Sequence, residues 1–197
     1  MNNVLRVERM AARIQYLSDY DDLVTKLPNR TFFQRRAAEI TSQAESGQMA
    51  GMFFLDLDNF EQINRELGHA LGDQFLEAAV DCLKKAIDGF DAFVGRLGGD
   101  EFGVLLGPEH EPAHALACAQ NLVVAFQTAL KAAAYQRLVT LSVGVALGPR
   151  PSESTDAWIQ RAEHAMYAAK AGGGNAYSDN TITGGADNKR SRRIAAL

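Results

Sequence analysis

The hydrophobic positions change their period along the chain. Val7, Met10, Ile14 and Leu17 recur at spacings of three and four, which predicts a helix over residues 1–20. The seam is roughly two heptads long, too short to stand alone as a coiled coil. Two readings stay open: a helix packed on its own domain, or a signalling helix joining an upstream module or a second protomer. "KLPNR" then breaks the chain, and Thr31 is placed to cap the next helix. "GMFFLDLD" is a near-continuous apolar run ending in acids, as in a strand covered on both faces. After Asp73 the helical period returns, with Leu76, Val80, Leu83 and Ile87 on one face. "FVGRL" and "FGVLL" flank Gly98-Gly99 and read as a hairpin. Leu116, Ala119, Val123, Phe126 and Leu130 mark another amphipathic helix, and "LVTLSVGVAL" a half-buried strand. Trp158, Ile159, Ala162, Met166 and Ala169 mark a last helix, stopped by Gly172-Gly173-Gly174.

This order predicts an α/β (α+β) domain built on the split β-α-β, ferredoxin-like pattern with added helices. There is no internal repeat. Residues 178–188 ("SDNTITGGADN") are polar and glycine-rich, as in a linker. "KRSRRIAAL" resumes a helix-like pattern and ends abruptly, as if cut from a longer protein. The expected organisation is a linker or signalling helix at 1–20, one domain at 21–177, and a polar linker opening a further segment at 178–197.

Composition narrows the function. With 197 residues and 47% hydrophobic content, one substantial core is expected. A net charge of -4 with pI near 5.6 leaves no footprint for bulk nucleic-acid or membrane binding. A phosphate-bearing ligand would have to be held locally, by a metal or by backbone amides. Cys82 and Cys118 lack metal-site spacing and fit a reducing compartment. No apolar run reaches the ~18 residues of a membrane span, and no signal peptide opens the chain, so a cytoplasmic setting is expected.

Candidate chemistry lies in the acids. In the split β-α-β pattern the first strand and the second hairpin strand are antiparallel neighbours. Asp56 and Asp58, at the exit of one, then share an end of the sheet with Asp100 and Glu101, at the start of the other. Adjacent strands are ~4.8 Å apart. Carboxylates that close repel and raise each other's pKa, and a divalent cation relieves this. Mg²⁺ prefers one or two carboxylates plus substrate phosphates. Gly98 and Gly99 let a ligand approach the backbone. The amides around Asn59 to Glu61 open a short helix suited to phosphate oxygens.

These residues resemble the GGDEF family, the diguanylate cyclases, from about Asp22 to Tyr177. "DLVTKLPNR", "FLDLDNFEQINRELGHALGD", "RLGGDEF", "LSVGVA" and "AEHAMYAAKAGGGN" match its motifs in order. The resemblance implies a ferredoxin-like βαββαβ palm, as in nucleotide cyclases. It implies Mg²⁺ (or Mn²⁺) held by Asp56, Asp100 and the Leu57 carbonyl. Glu101 would support the metals or help deprotonate the attacking 3′-hydroxyl. Asn64 and Asp73 would bind the guanine edge, Phe60 and Glu61 would offer amides to the phosphates, Lys170 would meet the triphosphate, and Gly98 and Gly99 would leave room for the nucleotide. Two protomers, each holding one GTP, would form cyclic di-GMP and pyrophosphate, each 3′-hydroxyl attacking the partner's α-phosphate. An upstream sensory module and a downstream EAL phosphodiesterase domain are implied partners of such a chain.

The sequence departs from the family pattern where phosphate cations are expected. The usual Phe-Lys is Phe60-Glu61, and the usual Gly-Arg-Asn is Gly173-Gly174-Asn175. Asn64-Arg65 replaces the usual Asn-Asp, so Arg65 is a candidate substitute charge. The window "GFDAFVGR" lacks the Arg-x-x-Asp of the inhibitory product site, so no product inhibition through that site is expected. The departures leave two readings: a slow cyclase, or a GTP-binding regulatory domain that controls an adjacent EAL domain. "HEPAH", His110 to His114, fits a zinc-protease pattern formally, but Pro112 puts it at a helix start. His69 reads as structural, His164 as satisfied or exposed, and "KRSRR" as a solvated linker.

Overall fold

The apolar run at the chain's centre becomes the middle of a sheet. Strand β1 (Ala50–Asp58) is buried along its whole length. Alternate residues point to opposite faces of a strand, and here both faces are covered. Phe53, Leu55 and Leu57 join one core, with Leu83, Val123 and Phe126. Met52 and Phe54 join a second core, with Phe33, Trp158 and Met166. Asp56 therefore belongs to the face of Met52 and Phe54, the face that carries Trp158 and Met166.

In this computed structural model the described residues are 24–43, 49–107, 111–132, 139–179 and 191–193, with Arg6, Met10, Asp19 and Tyr20. Most of the N-terminal seam lies outside them, as do Asp22 and Leu23, His110 and most of the polar stretch after Asp179.

The elements run α1 (Arg30–Gln43), β1, α2 (Phe60–Leu67), α3 (His69–Ala86), β2 (Ala92–Gly98), β3 (Glu101–Leu106) and α4 (Pro112–Ala132). They continue with β4 (Thr140–Gly148), α5 (Thr155–Ala171), β5 (Ala176–Asp179) and β6 (Ser191–Arg193). The sheet order is β2-β3-β1-β4-β5-β6. Strand β1 is antiparallel to both β3 and β4, and among the described residues only β4 and β5 pair in parallel. The first four strands with their helices are the expected ferredoxin-like βαββαβ palm.

Local expectations need four corrections. The cap of α1 is Asn29, whose Oδ1 accepts the Phe32 amide at 3.1 Å, and not Thr31, which is already helical. Helix α3 begins at His69, ahead of Asp73, directly after Gly68. Ser178 and Asp179 belong to β5 rather than to a linker, because the ladder with Gly144 and Val145 continues through them. Ser191–Arg193 pairs with β5 as a strand, where the sequence reads as helix-like. The available sheet edge overrides local preference there.

Helix α5 sits on β4 at Gly144. A Cβ there would lie 2.0 Å from the Ala162 carbonyl oxygen and 2.1 Å from the Met166 nitrogen. Only glycine admits so close a backbone approach. The indole nitrogen of Trp158 donates to the Ala146 carbonyl at 2.9 Å, and Ser154 caps the start of α5 by accepting the Ala157 amide. Arg161 and Glu153, 8% and 9% exposed, pair at 2.7 Å, and Arg161 also donates to the Leu147 carbonyl.

Candidate active site

The β1–β3 register sets Asp56 opposite Glu101. The two acidic stretches therefore do meet at one end of the sheet. Gly99 and Asp100 form the tip of the β2–β3 hairpin. Arg96 clamps that tip, donating from Nε and a terminal nitrogen to the Gly99 carbonyl at 3.1 and 2.8 Å. The Leu57 amide donates to the Asp100 carbonyl at 3.2 Å, which ties the turn to β1. A Cβ on Gly99 would meet nothing, whereas one on Gly98 would lie 3.0 Å from Glu101 Oε2. The turn is thus open at Gly99 and closed at Gly98.

Lys170 comes from the last turn of α5, where the helix dipole favours a cation. Its Nζ lies 2.6 Å from Asp56 Oδ1. Burial pushes the Asp56 carboxyl above its usual range. The Lys170 contact opposes this, and the charges of Asp100 and Asp58 add to it. Burial by itself would lower Lys170, but Asp56 first, and Asp58 and Asp100 behind it, hold the ammonium above its usual value. Three carboxylates, Asp56, Asp58 and Asp100, thus act on one ammonium, while Glu101 is paired with Arg30.

Asp58 has a different role from its neighbour. Its carboxylate accepts from Thr140 Oγ1 at 2.6 Å, Ser142 Oγ at 2.7 Å and the Asn175 amide at 3.1 Å. Asn175 is held in turn by Gln127 of α4. Asp58 thus anchors the turn after α5, and the sequence pattern alone does not separate it from Asp56. A Cβ on Gly174 would lie 2.7 Å from Asp58 Oδ2, with φ at +67°. A side chain at that position would be strained.

Sequence reasoning also passed over Arg30. It donates from Nε to the Leu97 carbonyl at 2.7 Å and pairs with Glu101 at 3.2 Å. The signal was its position directly after the Pro28-Asn29 break. Phe60 and Glu61 open α2 behind Asn59, which is left-handed at φ 65°. Phe60 is buried, and Glu61 and Arg65 are exposed. Asn64 lies against α3: its Oδ1 would be 1.9 Å from a Cβ on Gly72, the residue before Asp73. His69 and His164 are exposed on their helices, and α4 starts at Pro112, within "HEPAH".

Among the described residues, no three His, Cys, Asp or Glu side chains cluster tightly enough to hold a metal unaided. A cation here would need oxygen ligands from water or substrate as well, which is how Mg²⁺ binds. Hard carboxylate donors carrying excess negative charge fit such an ion.

The fold and this site define a nucleotide-cyclase palm. The family model for the GGDEF domain of diguanylate cyclases matches residues 18–176. The chain belongs to the GGDEF family. It is 35% identical over 167 residues to the diguanylate cyclase TpbB of Pseudomonas aeruginosa, covering 84% of this chain and 38% of TpbB. It is 32% identical over 175 residues to the cyclic di-GMP phosphodiesterase PdeR of Escherichia coli, covering 87% of this chain and 25% of PdeR. The chain thus spans well under half the length of these curated relatives. The coiled coil and GGDEF domain of DgcB from Caulobacter crescentus, solved with c-di-GMP, superposes with a TM-score of 0.76 at 25% identity, covering 89% of this chain and 93% of that one. The GGDEF domain of TpbB (YfiN) gives 0.70 at 31% identity, covering 81% and 100%.

Proposed function

We propose that this chain is a Mg²⁺-dependent diguanylate cyclase that acts as a homodimer, each protomer bringing one GTP. The observation that carries this reading is the Asp56–Lys170 pair set beside Asp58 and Asp100, where three carboxylates act on one ammonium. A nucleotide's phosphates alone would be repelled there; phosphates together with a divalent cation would not. Asp56, Asp100 and the Leu57 carbonyl would hold the ion, whose chemistry is to acidify the attacking 3′-hydroxyl and neutralise the leaving pyrophosphate.

This chain's residues do the rest. Lys170 turns from Asp56 to the phosphates. The Phe60 and Glu61 amides bind phosphate oxygens at the start of α2. Asn64 and Asp73 bind the guanine edge, and Gly99 leaves the hairpin tip open to the nucleotide. Glu101, steered by Arg30, lies beside the attacking hydroxyl. Each 3′-oxygen forms a bond to the partner's α-phosphorus as the bond to pyrophosphate breaks, and the hydroxyl proton leaves toward Glu101 or water.

The test is incubation with GTP and Mg²⁺ and chromatography of the products. Cyclic di-GMP is expected from the wild type and none from Asp100→Ala. Equal product from both would remove the assigned metal site. A second reading rests on Glu61 and Gly174, which stand where the family has phosphate cations, and on similarity to a named phosphodiesterase. In that reading the domain binds GTP and regulates an adjacent domain, and the same assay gives nucleotide binding without product.

A further inference from the structure

Helices α2, α3 and α4 line a half-open cavity of about 250 Å³ that the nucleotide chemistry does not use. We infer that this cavity is a binding site for a small uncharged aromatic ligand of one or two rings.

Its chemistry is one-sided. Ile63, Ala79, Cys82 and Phe126 are buried in its floor, and Gln74 is the one polar side chain among its lining residues. A charged or strongly hydrogen-bonding ligand would lose its water there and gain nothing. Size narrows the choice further. An engineered apolar cavity of roughly 150 Å³ stays dry and takes benzene, so this larger one suits a ring system the size of indole.

The cavity is separate from the guanine residues. Leu71, Phe75 and Cys82 line it along one stripe of α3, and Asp73 lies on the opposite side of that helix, from the turn of about 100° per residue. The two sites are nonetheless joined by rings. Phe75 stands between Phe126 of the floor, at 6.3 Å and edge-on, and Phe60 at the start of α2, at 6.0 Å. A ligand that moves Phe75 therefore presses on the helix start assigned to phosphate.

The test is a titration of the ¹⁵N-labelled full chain with indole, with and without Mg²⁺ and GTP. Saturable shifts are expected at the amides of Ile63, Ala79 and Cys82. Binding should weaken about tenfold or more in Ala78→Phe and in Ala129→Phe, both exposed rim positions where a larger ring fills the space without touching the core. GTP should leave indole bound. Indole shifts centred on Asn64 and Asp73 in place of the cavity amides would put it in the guanine site and overturn the inference, as would unchanged affinity in both filled variants. Exposed Leu67 and Leu71 on the rim allow one rival. A dimer in sedimentation that Leu71→Asp dissociates, together with no saturable indole shifts, would make the face a protein contact instead. None of these outcomes depends on whether the chain turns GTP over.

Discussion

Asp58 accepts two hydroxyl bonds and one amide bond inside the protein, and a buried carboxylate so furnished belongs to the fold. Asp58→Ala would strand those donors and is expected to cost about 3 kcal/mol, read from the urea midpoint. Asp56 is the reverse case. Its folded pKa is raised, so the folded state holds the proton more tightly than the unfolded chain does. Its contribution to stability is greatest below the unfolded value near 3.8 and is lost as pH rises through the raised folded value. Asp56→Asn should therefore fold at least as stably as wild type at neutral pH while losing Mg²⁺-dependent product; a clear loss of stability would refute this. Sequence patterning exposed Asp56, which closes an apolar run, and Asp100, which follows the Gly98-Gly99 hairpin turn. It could not separate Asp58, whose hydroxyl partners lie 82 and 84 positions away. Gly174 looked like a missing cation. The structure adds that its left-handed backbone against Asp58 resists a side chain, so Gly174→Arg is expected to cost about 1–2 kcal/mol.

The β4–α5 junction turns on one buried pair. Glu153 accepts Arg161 Nε at 2.8 Å, a terminal Arg161 nitrogen at 2.7 Å and the Arg150 amide at 2.8 Å. Burial pushes the Glu153 carboxyl up, but the Arg161 bonds, the Arg150 amide and both arginine charges outweigh it and hold it below its usual range. The sign is opposite to that of Asp56. This stability is present above the unfolded value near 4.5 and is lost as pH falls through the lowered folded value. Glu153→Gln takes the opposite charge from Arg161 and leaves it the Leu147 carbonyl, at a cost of about 3 kcal/mol. Urea midpoints measured from about pH 5 down to about pH 3 should fall for wild type over that window, and should fall less for the variant. Elements with a strong period were legible in advance, because burial on one or both faces dictates the pattern. Ends and edges were not. Asn29 and Thr31 are both good caps by composition, and only the chain's path after Pro28 chose between them. Likewise β6 exists because β5 offers an edge, which no local pattern announces.

For the molecule as a whole, the active end of the sheet joins pieces from every part of the chain: Arg30, β1, the hairpin tip, α5 and the turn before β5. Ligand that binds only the folded state stabilises it by mass action, by about 2.7 kcal/mol at a hundredfold excess over Kd. Mg²⁺ with GTP should raise the thermal midpoint well beyond Mg²⁺ alone, because Lys170 already partly neutralises Asp56 and nucleotide gives that ammonium another partner. Equal shifts from Mg²⁺ alone and from Mg²⁺ with GTP would show that the folded chain does not bind the nucleotide.

Gly144 makes helix α5 a lever. The helix rests on β4 at Ala162 and Met166, and Lys170 lies one turn beyond that fulcrum. A single methyl on Gly144 would lift the helix at its bearing and swing the ammonium away from Asp56, although Gly144 touches neither residue. The reach of Lys170, which we propose meets the phosphates, is therefore set by a position in the core that carries no chemistry of its own.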